Sequence, residues 1–171
     1  MSALMRAALA AGLWALASAA SAQTVVLVRH AEKADASRDP VLSEAGTQRA
    51  QALAAIFGRE GPDLVLVSPL QRTGLTAAPT VAEFGAPVRA FALDAGVEAH
   101  VGAIVAEIAA QPEDAVILVV GHSNTVPLIA RALGVDSDDM PECEYDRLTR
   151  VDLRSFVPHA AVSRYGAAST C

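Results

Sequence analysis

The 171-residue sequence is short of cysteine, of aromatic residues and of positive charge, and each shortage narrows the function. Two cysteines, Cys143 and Cys171, permit one intramolecular pairing at most. No close Cys or His spacing accompanies them, which argues against a metal site. In an exported chain they can form a disulfide that ties the C-terminal tail to the body. The alternative is a small buried Cys143 and a frayed terminal thiol. Aromatic residues make up 4% of the chain, no basic stripe interleaves them, and the formal net charge is −6. That combination disfavours nucleic acid and anionic lipid as partners. No apolar run reaches the roughly 20 residues of a membrane-spanning helix. There are no internal repeats and no low-complexity segment beyond richness in alanine.

What is present begins with a leader. Arg6 supplies a short positive start, Ala7 to Ala17 an apolar stretch, and Ala20-Ser21-Ala22 the small residues that a signal peptidase requires. Residues 1–22 are therefore expected to be a cleaved signal peptide, with export to the periplasm or beyond. No Cys follows the cleavage point, so a lipoprotein anchor is not expected, nor is any other stable membrane anchor. Arg6 is the leader's only charge, and its removal takes the net charge from −6 to −7. Residues 23–171 suit a single domain.

After Gln23 strand and helix patterns alternate. Thr24 to Arg29, Asp63 to Val67 and Ala115 to Val120 are apolar and β-branched enough for buried strands. Val88 to Leu93 is a shorter strand, and Leu148 to Leu153 alternates as a last one. Between them, Ser43 can cap a helix to about Phe57, and Ser68-Pro69 reads as an N-cap followed by a helix toward Phe84 that Pro79 can kink or shorten. Val97 to Ala110 and Asn124 to Leu133 complete the helices, the latter closed by Gly134. The tail from Ser155 onward carries no assignment. The expected fold is a three-layer α/β/α sandwich with a mostly parallel central sheet.

Three of the apolar runs stop on chemistry. The first ends in Arg29-His30, the second in Ser68-Pro69-Leu70-Gln71-Arg72, the third in Gly121-His122-Ser123-Asn124. Parallel strands would gather these groups outside their carboxyl ends, where open α/β sheets bind ligands. Two guanidiniums beside two imidazoles suit an oxyanion, phosphate above all. Backbone N–H groups of Ser123 and Asn124, at a helix N-terminus, could add to the cradle. Each element alone is as readily a strand-end arginine, a turn histidine or a helix cap. Their joint arrangement points to a phosphate-handling site.

Leu27-Val28-Arg29-His30-Ala31-Glu32, Ser68-Pro69-Leu70-Gln71-Arg72-Thr73 and Gly121-His122-Ser123-Asn124 resemble the three signature segments of the histidine phosphatase superfamily, the phosphoglycerate-mutase-like fold. Leu42-Ser43-Glu44-Ala45-Gly46 also fits, and the resemblance runs from about Thr24 to Leu153. It implies that His30 is the nucleophile of a phosphohistidine intermediate, with Arg29, Arg72 and His122 as the rest of the phosphate pocket. It implies no metal and no cofactor, and two guanidiniums would in any case repel a divalent cation from a His30/Glu32/His122 set. Ala31 stands where better-known members carry Gly.

The general acid is not obvious. Asp94 heads the candidates, with Glu98 and Glu32 behind it, although acids at a turn and in a first helical turn have structural reasons to be there. His100 reads as a helix-surface residue and His159 as a tail residue. Glu142, Glu144, Tyr145, Asp146 and Arg147 read as a solvated loop that could wall the pocket, with no catalytic role. The expected function is an exported acid-type histidine phosphatase that hydrolyses small phosphomonoesters. The alternatives are a non-catalytic phospholigand-binding protein, a phosphomutase and a protein-phosphohistidine phosphatase.

Overall fold

The computed structural model describes residues 23–153 and 157–171, so the expected leader at 1–22 lies outside the described residues. Six strands form one sheet: β1 (Thr24–Arg29), β2 (Leu64–Val67), β3 (Val88–Ala90), β4 (Val116–Gly121), β5 (Arg147–Asp152) and β6 (His159–Arg164). Their spatial order is β3-β2-β4-β1-β5-β6. The first four run parallel, while β5 and β6 add antiparallel at one edge.

The apolar continuity of β1, β2 and β4 has a direct cause: both faces of each strand are covered. Val25 and Leu27, Leu64 and Leu66, Ile117 and Val119 point to one core, with Val101, Ile104 and Ile108 of α3 (Val97–Ala109) and Ile129 of α4 (Val126–Ala132). Val26 and Val28, Val65 and Val67, Leu118 and Val120 point to the other, with Leu53 of α1 (Glu44–Ala55) and Ala77 of α2 (Gln71–Phe84). A period of two thus sorts the side chains between two helical layers.

Four local details differ from the sequence expectation. Ser68 does not cap α2. The helix starts at Gln71, whose N–H donates to Asp39 Oδ1 at 2.9 Å, so the cap comes from a distant loop. Pro79 sits inside α2 without ending it, and Gly85 closes the helix in the left-handed region. Helix α4 begins only at Val126, so Ser123 and Asn124 belong to the turn before it, not to its first turn. Strand β6 was not foreseen, because five of its six residues are exposed and no apolar alternation marks it. Among the described residues, no helix is long and apolar enough to cross a membrane.

Ser43 caps α1 as expected, accepting from the Gly46 N–H at 3.1 Å. Gly46 has a second constraint. A Cβ there would lie 2.3 Å from the Glu32 carbonyl oxygen, so the absence of a side chain lets α1 press against the chain just after His30.

Candidate active site

The strand register brings the three motifs to one end of the sheet. Arg29 is level with Gly121, and Val67 with Val120, so His30, His122 and Ser68 leave their strands side by side. The His30 and His122 rings meet edge to face, with centroids 5.3 Å apart. A pocket of about 250 Å³ opens there, lined by His30, Lys33, Leu70, Arg72, Leu93, His122, Ser123, Asn124, Thr125 and Glu142.

His30 is held in one tautomer. Its Nδ1 lies 2.8 Å from the Ala31 carbonyl oxygen, which can only accept, so Nδ1 carries the proton and Nε2 keeps its lone pair. The Ala31 peptide is itself pinned, because its N–H donates to Thr76 Oγ1 at 2.9 Å and Thr76 Oγ1 donates to the Arg72 carbonyl at 2.7 Å. Burial, seconded by the nearby Arg29, His122 and Arg72, pushes the imidazole down to about 3 despite the Ala31 carbonyl. His30 is therefore neutral at any ordinary pH.

His122 is neutral for the same reason: burial first, then the Arg72 cation, takes it down to about 4. Its Nε2 lies 3.0 Å from Ser68 Oγ, and Ser68 Oγ lies 3.0 Å from Thr73 Oγ1. Thr73 Oγ1 is also within 2.9 and 2.8 Å of the Ser68 and Leu70 carbonyls, so its proton is committed to the backbone. Ser68, read from sequence as a helix cap, is instead the residue that orients His122.

Arg72 reaches the pocket from the first turn of α2, with Nη1 3.7 Å from Asp39 Oδ1. Arg29 is placed differently from the expectation. It is 1% exposed and is not among the pocket-lining residues. Its Nη1 donates to the carbonyls of Pro141, Glu142 and Glu144, its guanidinium lies 4.2 Å from the Tyr145 ring centroid, and Nη2 donates to Glu142 Oε2 at 2.8 Å. Arg29 anchors the 141–145 loop and meets the pocket only through the Glu142 carboxylate. The Nε atoms of Arg29 and Arg72 are buried and lack a hydrogen-bond partner among the described residues.

The acid candidates separate clearly. Asp94 is exposed in the turn before α3, outside the pocket lining, although its neighbour Leu93 lines it; this departs from the catalytic role expected of it. Glu98 is exposed in the first turn of α3. Glu32 is committed to Arg49, whose Nε lies 3.0 Å from each carboxylate oxygen and whose Nη2 lies 2.6 Å from Oε1. That also removes it from any metal set.

The carboxylate that does line the pocket is Glu142, from the cluster read as a solvated loop. It accepts from Ser123 Oγ as well as from Arg29. The Ser123 hydroxyl holds the carboxyl below its ordinary value, aided by Arg29 and Lys33 against the burial that would raise it. Two of its neighbours, unlike the exposed Glu142, are buried. Glu144 is 5% exposed and binds Arg147 and Arg164, and Asp146 is 6% exposed and binds Arg164. Cys143 and Cys171 are bridged, with their Cα atoms 5.2 Å apart, which ties the tail to this loop. His100 corrects a further expectation. It is 2% exposed, faces inward with Val101, Ile104 and Ile108, and places Nδ1 3.0 Å from the Ala92 carbonyl. The 100/101/104/108 spacing was the available signal for this.

Residues 25–92 match the family model described as histidine phosphatase superfamily (branch 1). No curated protein matches the sequence. Among solved structures, a candidate phosphohistidine phosphatase SixA from Nakamurella multipartitia is 29% identical, with 86% of this chain and 99% of that one covered and a TM-score of 0.63. A candidate SixA from Agrobacterium tumefaciens is 26% identical, with 85% and 98% covered and a TM-score of 0.57. A candidate alpha-ribazole-5'-P phosphatase from Escherichia coli shares the fold at a TM-score of 0.63, with 20% identity over 87% of this chain and 98% of that one. With the strand-end histidines and Arg72 brought together on this sheet, these likenesses have one meaning: the chain has the phosphoglycerate-mutase-like fold of the histidine phosphatases, and its residues 25–92 match that superfamily's model.

Proposed function

We propose that this phosphatase is an exported, metal-independent phosphomonoester hydrolase that works through a covalent phosphohistidine on His30. One observation carries the reading: a neutral His30, with Nδ1 committed to the Ala31 carbonyl and Nε2 free, stands beside Arg72 and His122 in one pocket. The buried Nε of the pocket-lining Arg72 is a donor suited to the oxygens of a phosphoryl group.

In the first step the Nε2 lone pair attacks phosphorus in line, the bond to the leaving oxygen breaks, and that oxygen takes up a proton. The guanidinium of Arg72 and the His122 ring stabilise charge on the equatorial oxygens. In the second step water attacks the phosphohistidine, the P–N bond breaks, the lone pair returns to Nε2 and inorganic phosphate leaves. A nucleophile whose imidazole protonates only at about 3 stays competent in acid, which supports an acid-type enzyme. The two SixA candidates favour a phosphohistidine side chain as a second substrate class. Its imidazole leaving group makes small demands on the exposed, open mouth of the pocket.

The test is phosphate release from an aryl phosphate, an alkyl phosphate and a phosphoramidate by residues 23–171 in chelator. Wild type should turn over the aryl ester and form an acid-labile, alkali-stable phosphoenzyme. His30→Ala should lose at least about a thousandfold in kcat, as for other nucleophile deletions. Folded wild type that forms no phosphoenzyme and releases no phosphate above the His30→Ala level would defeat the reading and leave a phospholigand-binding protein.

A further inference from the structure

Arg29 Nη2 and Ser123 Oγ are donors at the edge of the phosphate pocket, and both are already engaged by one carboxylate. Glu142 Oε2 accepts from Arg29 at 2.8 Å, and Oε1 accepts from the Ser123 hydroxyl. We propose that Glu142 is an internal anion that occupies part of the phosphoryl seat, so that a phosphate ester binds only by displacing it. This deepens the phosphatase reading and rests on it.

The backbone and the side chain of Glu142 are held very differently. Its backbone sits in a loop clamped on Arg29 Nη1 through the Pro141, Glu142 and Glu144 carbonyls, and the adjacent Cys143 is bridged to Cys171. The side chain is 79% exposed, against 2% for its partner Arg29. A fixed base with a solvated tip can swing clear without disturbing the fold.

Where it now stands, the carboxylate is a partition. It lines the phosphate pocket, a neighbouring depression walled by Pro127, Leu128 and Met140, and a third beside Glu32 and Tyr145. Its withdrawal joins the seat to these depressions, which gives the leaving group somewhere to lie.

Electrostatics makes the exchange obligatory. A phosphoryl dianion and a carboxylate cannot share Arg29 Nη2 and Ser123 Oγ, because like charges at hydrogen-bond distance repel in a partly dry site. Glu142 therefore weakens every oxyanion, and the weakly charged ones most. A doubly charged phosphoryl group, with Arg72 and His122 lining the same pocket, is best able to displace it.

The experiment is calorimetric titration of inorganic phosphate into wild type, Glu142→Gln and Glu142→Ala, each with the disulfide intact. Steady-state kinetics on an aryl phosphate run alongside. Both variants should bind phosphate about tenfold more tightly than wild type, the scale of one relieved like-charge contact, with KM falling in parallel. Arg29 keeps its three carbonyl acceptors and Tyr145 in both variants, so neither should unfold. Unchanged or weaker phosphate binding in the variants overturns the proposal. So does a loss of kcat at unchanged phosphate affinity, which would make Glu142 a proton donor and leave the phosphatase reading standing. Phosphate binding by none of the three proteins, with no turnover, overturns both readings together.

Discussion

Residues 24–84 and the loop at 141–147 meet at Arg29, and different forces hold them. The first region is β1, β2 and the helices between and after them, with Val25 to Val28 and Leu64 to Val67 buried on both faces of the sheet. It carries His30 and Arg72. The second region is fastened by polar contacts: Glu144 to Arg147 and Arg164, Asp146 to Arg164, Arg29 to three carbonyls, and the Cys143–Cys171 bridge. It carries Glu142. Close-packed cores hold side chains in single positions, whereas charged loops can exchange one partner for another. Groups that must be aimed to a fraction of an ångström stand on the packed region, and the group that regulates entry stands on the exchangeable one.

The largest effect that would sharpen this contrast lies in the packed region, at Thr76. Its hydroxyl accepts from the Ala31 N–H, and the Ala31 carbonyl sets the His30 tautomer. Thr76→Val keeps the shape and leaves a buried N–H without its acceptor, a cost of about 1–3 kcal/mol that the Ala31 peptide can lower by tilting. Thr76 is thus a positioning residue. The expected result is a kcat about tenfold lower at little-changed KM, restored by Thr76→Ser. A variant that loses only thermal stability, with kcat intact, would break the link between the pinned peptide and the nucleophile.

The same division explains what could be read from the sequence. β1, β2 and β4 were legible because burial on both faces makes a strand uniformly apolar, and their ends located His30, Arg72 and His122. β6 was illegible because it is an exposed edge whose only instruction is pairing with β5. Glu142 is exposed, as read, but its engagement was illegible because its partner Arg29 is 113 residues away, and no local pattern encodes that contact. Ser68 looked like a cap because Ser-Pro before a helix usually is one. Asp39, from a loop without periodicity, took that place and left the Ser68 hydroxyl for His122.

An intermediate effect separates the regions by pH. His30 and His122 protonate at about 3 and about 4 when folded, against 6.5 for a free imidazole. Between those values the unfolded chain binds more protons than the folded one, so stability falls as pH is lowered from about 7. Each histidine can contribute up to about 1.4 kcal/mol per pH unit there. Glu142, Glu144 and Asp146 are also held below their ordinary carboxyl values, so their contribution is present above those values and is lost only as pH falls through and below them. Thermal melting of wild type should therefore show Tm dropping between pH 7 and pH 5, with His30→Asn showing a smaller drop. Equal drops in the two proteins would mean that His30 titrates alike in the folded and unfolded chain.

The smallest expected effect concerns Asp94. A general acid must lie within hydrogen-bond reach of the leaving oxygen, and its loss hurts alkyl esters far more than aryl esters, whose leaving groups need little protonation. Asp94 is exposed in the turn before α3 and does not line the pocket, while Leu93 beside it does. Asp94→Asn should therefore change kcat/KM for alkyl and aryl phosphates by the same small factor, leaving their ratio where it is in wild type. A selective collapse on the alkyl ester would mean that the turn closes over the bound substrate and carries Asp94 in. The comparison of regions would then need redrawing, because a third segment, between β3 and α3, would move toward a phosphoryl group that the packed region holds and the charged loop admits.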